Sequence, residues 1–251
     1  ARAMNASTTP PPSPVPACSG ASILTCAGWI LNLFDPDYSL ISVIEIAHGL
    51  AGEIRYNAQS PERETVAQHS ALLCRWARMC RGRDHRTLAY HNAIKALVEK
   101  HGEPDWMVVA ACLLFHDAPE AVLGDIVSPL KKRPEMSWFR ALENVHMARC
   151  AERFGLPPIT DPVWEFVEAL DHAIVIDEKL ALWPGVDVSD KPQSQGLGIG
   201  IPIISLERAE MEWLTEYEIV MRALRPELWG PAPAPQRKTV FDGGPHVRTT
   251  R

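Results

Sequence analysis

The chain has 251 residues, 46% of them hydrophobic and 22% charged, with a formal net charge of −6. This composition predicts a globular protein with one domain of ordinary size or slightly more. The acidic balance argues against broad nucleic-acid binding, which needs a basic patch or stripe, but leaves room for a small anion in a local basic pocket.

In chain order, residues 1–20 are dominated by Pro, Ser, Thr and Ala and predict an extended or disordered arm, since they cannot bury enough apolar surface to offset ordering. "GWILNLF" allows a short strand pairing. "SVIEIAHGL" opens with Ser42 and Glu45 in capping-box spacing, and "TVAQHSALLCRWARMC" repeats the device with Thr65 and Gln68. In the latter, His69, Leu73, Trp76 and Cys80 recur at helical spacing. "DWMVVAACLLFHDAPEAVL" is apolar almost all round and predicts one central buried helix stopping at Gly124. Three further helices follow: "MSWFRALENVHMARCAERFG", closing at Gly155, "DPVWEFVEALDHAIVIDEKLAL" and "SLERAEMEWLTEYEIVMRAL". Residues 184–204, rich in Gly, Pro and Ser, read as a loop without assignable chemistry, and 230–251 as a flexible tail. The expected fold is all-α, with one domain over 21–229.

No run approaches the roughly 18 consecutive apolar residues of a membrane span. The N-terminal stretch lacks the charged-then-apolar grammar of a signal peptide. The six cysteines form no C-x-x-C pair. They read as small hydrophobic residues in a reducing compartment, so a cytoplasmic protein without membrane contact is expected.

The chemistry lies in polar residues set inside apolar helices. If 105–123 is one helix, His116 and Asp117 are adjacent and Glu120 shares their face, with Asp125 just beyond Gly124. His69 sits on the apolar stripe of its helix, and Asp171 on that of Trp164, Val167, Ile174 and Val175. A lone His on an apolar face is more often a satisfied core residue, and a lone Asp is usually surface or a cap. Three such sites in three apolar helices are hard to explain separately. One His₂Asp₂ metal site explains them together, because pairing with a metal relieves the cost of burying charge. A mixed imidazole and carboxylate set suits Mn, Fe, Co, Ni or Zn without selecting among them.

"VAQHS", "HDAPEAVLGDI" and "LDHAIVIDEKLAL", in that order, resemble the H…HD…D motif of the HD-domain phosphohydrolase superfamily. More narrowly they are similar to bacterial 5′-deoxynucleotidases of the YfbR type and to the phage enzymes that remove triphosphate from dATP. "EIRYN" and "GDIVSPLK" extend the resemblance to roughly residues 24–226. It implies an HD-domain helical bundle with one divalent transition metal between its central helices, on His69, His116, Asp117 and Asp171. Asp177 is a rival for the fourth position; Asp171 is preferred because Glu178 then follows seven residues on. The resemblance further implies that Glu120 orients or deprotonates the attacking water, and that Asp125 lies near sugar and phosphate. It puts Arg55 and Tyr56 on the substrate and Lys131 on its phosphate side. Relatives often carry Trp at the position of Tyr56, so the base platform is expected to differ.

The function implied is hydrolysis of a small-molecule nucleotide, as a 5′-deoxynucleotidase or a dNTP triphosphohydrolase, in a homo-oligomer. The alternative is a nucleotide-binding regulator that keeps the scaffold without turnover, and the intact ligand set plus Glu120 weighs against it.

Overall fold

A computed structural model describes residues 21–81, 92–185 and 196–228; the expected N-terminal arm, the C-terminal tail and part of the 184–204 loop lie outside these residues. The described chain forms an all-α bundle with one small hairpin, β1 (Ser22–Leu24) antiparallel to β2 (Ile30–Asn32), at the position where a short pairing was expected. The helices are α1 (Val43–Gly52), α2 (Val66–Cys80), α3 (Asn92–His101), α4 (Trp106–Phe115), α5 (Glu120–Leu123), α6 (Ser128–Lys131), α7 (Ser137–Phe154), α8 (Asp161–Leu182) and α9 (Leu206–Leu224). The sequence reading did not single out α3.

Local chemistry sets several boundaries. Ser42 and Glu45 form a reciprocal capping box at α1. At α2 the box is half made: Thr65 accepts from the Gln68 amide, but the Gln68 side chain donates to the Pro202 carbonyl at 2.6 Å instead of reaching back. Gly155 ends α7 in the left-handed conformation, as expected.

The apolar α4 lies at the centre, packed by α2, α8 and α9, while α1 rests on α9, α5 and α2. Val109, Ala110, Ala111, Leu113, Leu114 and Phe115 are fully buried. By length and composition Trp106–Leu123 could cross a membrane, but 67% of it is buried inside the protein, which identifies it as the core. Among the described residues, Cys26, Cys74, Cys112 and Cys150 are free thiols.

The expectation of one helix over 105–123 is corrected at its most informative point. The helix breaks after Phe115 and resumes at Glu120. Pro119 has no N–H to give the Phe115 carbonyl, and the turns tighten: Ala118 N donates to Phe115 O and Glu120 N to Asp117 O, each at 2.9 Å. Side chains take carbonyls in the last turn of α4. His116 Nδ1 donates to Leu113 O at 2.7 Å, and the buried indole of Trp213 donates to Leu114 O at 3.2 Å. The His-Asp pair therefore stands on an anchored break in the core. On the far side, an added Cβ at Gly49 would run into the backbone of Ala121, so only glycine lets α1 approach α5 this closely.

Candidate metal centre

Helix α2 brings His69, the break after α4 brings His116 and Asp117, and α8 brings Asp171. Ligand atoms of His69, His116 and Asp117 lie within 4.8 Å of one another. Asp117 Oδ2 is 3.1 Å from His116 Nε2 and 4.0 Å from His69 Nε2. Asp171 flanks this trio, its Oδ1 3.1 Å from His69 Nε2 and 3.7 Å from His116 Nε2.

Both imidazoles are oriented from behind. A carbonyl or carboxylate can only accept, so the Nδ1 atoms must be the donors. His69 Nδ1 donates to Glu178 Oε1 at 2.5 Å, and His116 Nδ1 to Leu113 O at 2.7 Å. The lone pairs left on the two Nε2 atoms are turned toward the carboxylates. Both Nε2 atoms are buried and make no well-formed hydrogen bond, although oxygens lie within reach. Two orphaned imidazole nitrogens facing two carboxylates fit a divalent cation, and the Nδ1 anchors are the supports that metal-bound histidines ordinarily have.

Electrostatics agree with that reading. Burial, and Arg55 nearby, oppose a proton on His69, yet Glu178 and Asp171 outweigh them and raise its pKa to about 9. His116 is raised as well, its burial outweighed by Asp117 and Asp171. Burial works against the Asp117 charge too, but the neighbouring imidazoles hold its carboxyl at about 2. The site therefore favours positive charge.

Asp177 has other work. Its carboxylate accepts from the backbone of Leu197 at 2.7 Å and of Gly198 and Ile199 at 3.3 Å each, anchoring the segment that follows the long loop. Asp171, by contrast, faces both imidazoles.

Glu120 is buried, and burial together with the Asp117 charge pushes its carboxyl up to about 8 against the pull of Lys131. Lys131 Nζ lies 2.7 Å from Glu120 Oε1, 2.9 Å from Glu143 Oε1 and 3.6 Å from Asp125 Oδ1. The lysine thus bridges Glu120, Glu143 and Asp125. The ammonium expected on the phosphate side is shared among three carboxylates. Asp125 N also donates to Glu53 Oε2 at 3.4 Å.

Arg55 pairs with the buried carboxylate of Glu178. Its Nε and Nη2 donate to Glu178 Oε2 at 3.3 and 3.0 Å, while Nη1 lies 3.9 Å from Asp117 Oδ2. The Tyr56 hydroxyl also donates to Glu178 Oε2, at 2.5 Å, and its ring meets Trp183 edge-on at 4.9 Å. The ring is therefore already engaged on one side. Tyr56, Asn57 and Ala58 all have positive φ, 57°, 53° and 55°. Each such non-glycine residue costs about 1–2 kcal/mol, so the surroundings must hold the turn.

Sequence reasoning missed Glu64. It is 1% exposed, both carboxylate oxygens lack a partner, and burial plus the Glu178 charge push it up to about 8. The one sequence cue was ambiguous: an acid just before the Thr65 cap reads as ordinary helix-start chemistry.

An all-α bundle enclosing a candidate His/Asp metal centre is the class of protein these features define. No family model matches the chain. It is similar to an uncharacterized protein of Rhodobacter capsulatus, with 32% identity over 148 residues, or 58% of this chain. The chain spans about 64% of that relative's length.

Proposed function

We propose that the chain is a metal-dependent phosphohydrolase acting on nucleotides, with one divalent transition metal held by His69, His116, Asp117 and Asp171. The observation that carries the metal is the pair of buried, unbonded Nε2 atoms facing two carboxylates. The nucleotide rests on the resemblance of the H…HD…D motif and its flanks to the HD-domain phosphohydrolases. When bound, the ion supplies a lowered water pKa and a polarised phosphoryl oxygen.

The chain's own residues do the rest. Glu120, raised to about 8 and held by Lys131, is poised near neutrality to take a proton from the attacking water. Arg55 keeps Nη1 uncommitted to Glu178 and can offer it to a phosphoryl oxygen as charge develops there. Lys131 keeps Glu120 in place and meets phosphate only by giving up a carboxylate.

The test is a screen of nucleoside mono-, di- and triphosphates with Mn, Fe, Co, Ni and Zn, identifying phosphate, pyrophosphate or triphosphate as product. Release of phosphate distinguishes a 5′-deoxynucleotidase from a triphosphohydrolase. Tight nucleotide binding with no product under any metal would replace the enzyme by the non-catalytic regulator.

A further inference from the structure

Glu178 serves two parties with one side chain. Oε1 accepts the Nδ1 proton of His69, and Oε2 accepts from Arg55 and from the Tyr56 hydroxyl. The carboxylate has no exposed surface, so solvent cannot stand in for a lost partner. On one side it steadies a candidate ligand. On the other it steadies a turn of three consecutive left-handed residues, a conformation that persists only when its surroundings enforce it.

We propose that Glu178 couples the metal centre to the Arg55–Tyr56 turn, so that metal loading rigidifies residues 55–59. The proposal rests on the metal reading above and adds Glu178 and Tyr56 to it as positioning residues that touch no metal. The physical link is short. A metal on His69 Nε2 requires the ring's one proton on Nδ1, which commits that proton to Glu178 Oε1. The carboxylate is thereby fixed in rotation and presents Oε2 to Arg55 and Tyr56. Without metal the ring is anchored through Nδ1 alone, because Nε2 makes no well-formed hydrogen bond; a metal would hold the ring at both nitrogens and so steady Glu178. Linkage makes the effect reciprocal: whatever loosens the turn feeds back on the metal.

The experiment is backbone hydrogen exchange on the full chain with and without Mn²⁺ or Zn²⁺, with metal binding measured on the same samples. Metal should slow exchange over Tyr56–Gln59 by about fivefold or more, a typical coupling between sites. In Glu178→Gln, one acceptor oxygen cannot serve both His69 and the turn. Metal affinity should fall about 10- to 100-fold, as for other lost supports of a ligating histidine, and the metal-dependent protection should vanish. Tyr56→Phe, a gentler change, should raise exchange in the turn and shrink the protection. Bound metal with unchanged exchange at 55–59 in the unmodified chain would overturn the coupling alone. Failure of both metals to bind would overturn the metal reading, and the coupling with it.

Discussion

Metal uptake should release protons, and its affinity should climb steeply with pH. In the metal-free protein His69 titrates at about 9 and His116 is raised well above its ordinary value. Both must become neutral to donate from Nε2. At about pH 7, neutralising His69 alone costs roughly two pH units, or about 2.7 kcal/mol, which weakens apparent binding about 100-fold. His116 adds to this. Log affinity should therefore rise with a slope of about two per pH unit while both rings are protonated, with the share of His69 lost once pH passes about 9. The stability sign is consistent. A histidine raised on folding stabilises the metal-free protein fully below its unfolded pKa, and that contribution is lost as pH rises through about 9. Metal then takes over the role of the proton. Titration calorimetry with Zn²⁺ or Mn²⁺ in buffers of different ionisation enthalpy counts the released protons. Stoichiometric binding at about pH 7 with no proton release would refute the electrostatic picture of the site.

Glu120→Ala should keep its metal by elemental analysis and lose about 100-fold or more in turnover, the usual worth of a general base. Asp171→Asn should lower metal content. Asp177→Ala should leave it unchanged and cost about 1–3 kcal/mol in chemical denaturation, because three backbone donors lose their acceptor. Glu64→Gln should change the pH profile of thermal unfolding. The unfolded carboxyl ionises near 4.5 and the folded one at about 8, so the unmodified protein loses stability between them, on the order of a few kcal/mol, and the glutamine variant should not. Equal profiles for the two proteins would remove the strained acid from the account. Gly49→Ala should destabilise the fold by about 1–3 kcal/mol, since its new Cβ meets Ala121 backbone and not a yielding side chain.

What was legible in the sequence followed from periodicity and caps. The Ser42–Glu45 box, the Gly155 stop and the long α8 and α9 are local features, and local chemistry decides them. His69, His116, Asp117 and Asp171 stood out because each is polar on an otherwise apolar segment. The structure brings the four together. The roles behind them were hidden, because they depend on partners far away in the chain. In the sequence Glu178 serves only as a spacing mark for Asp171; its bond from His69, 109 residues earlier, cannot be read there. Lys131 reads as a free phosphate ligand until Glu120, Asp125 and Glu143 surround it.

The helix break is the instructive miss. Pro119 was in view, and a proline inside an apolar periodic run signals a break or kink. The run was strong enough to suggest that the helix continued. What makes the break tolerable is outside the run: Trp213 of α9, whose indole takes the Leu114 carbonyl, and the ring of His116 itself, which takes that of Leu113. That second bond also fixes the tautomer that leaves Nε2 facing Asp117 and Asp171. One hydrogen bond thus serves the backbone and the site at once. The motif residues stand at the break because a ligand there can use a carbonyl from the end of α4 as its anchor.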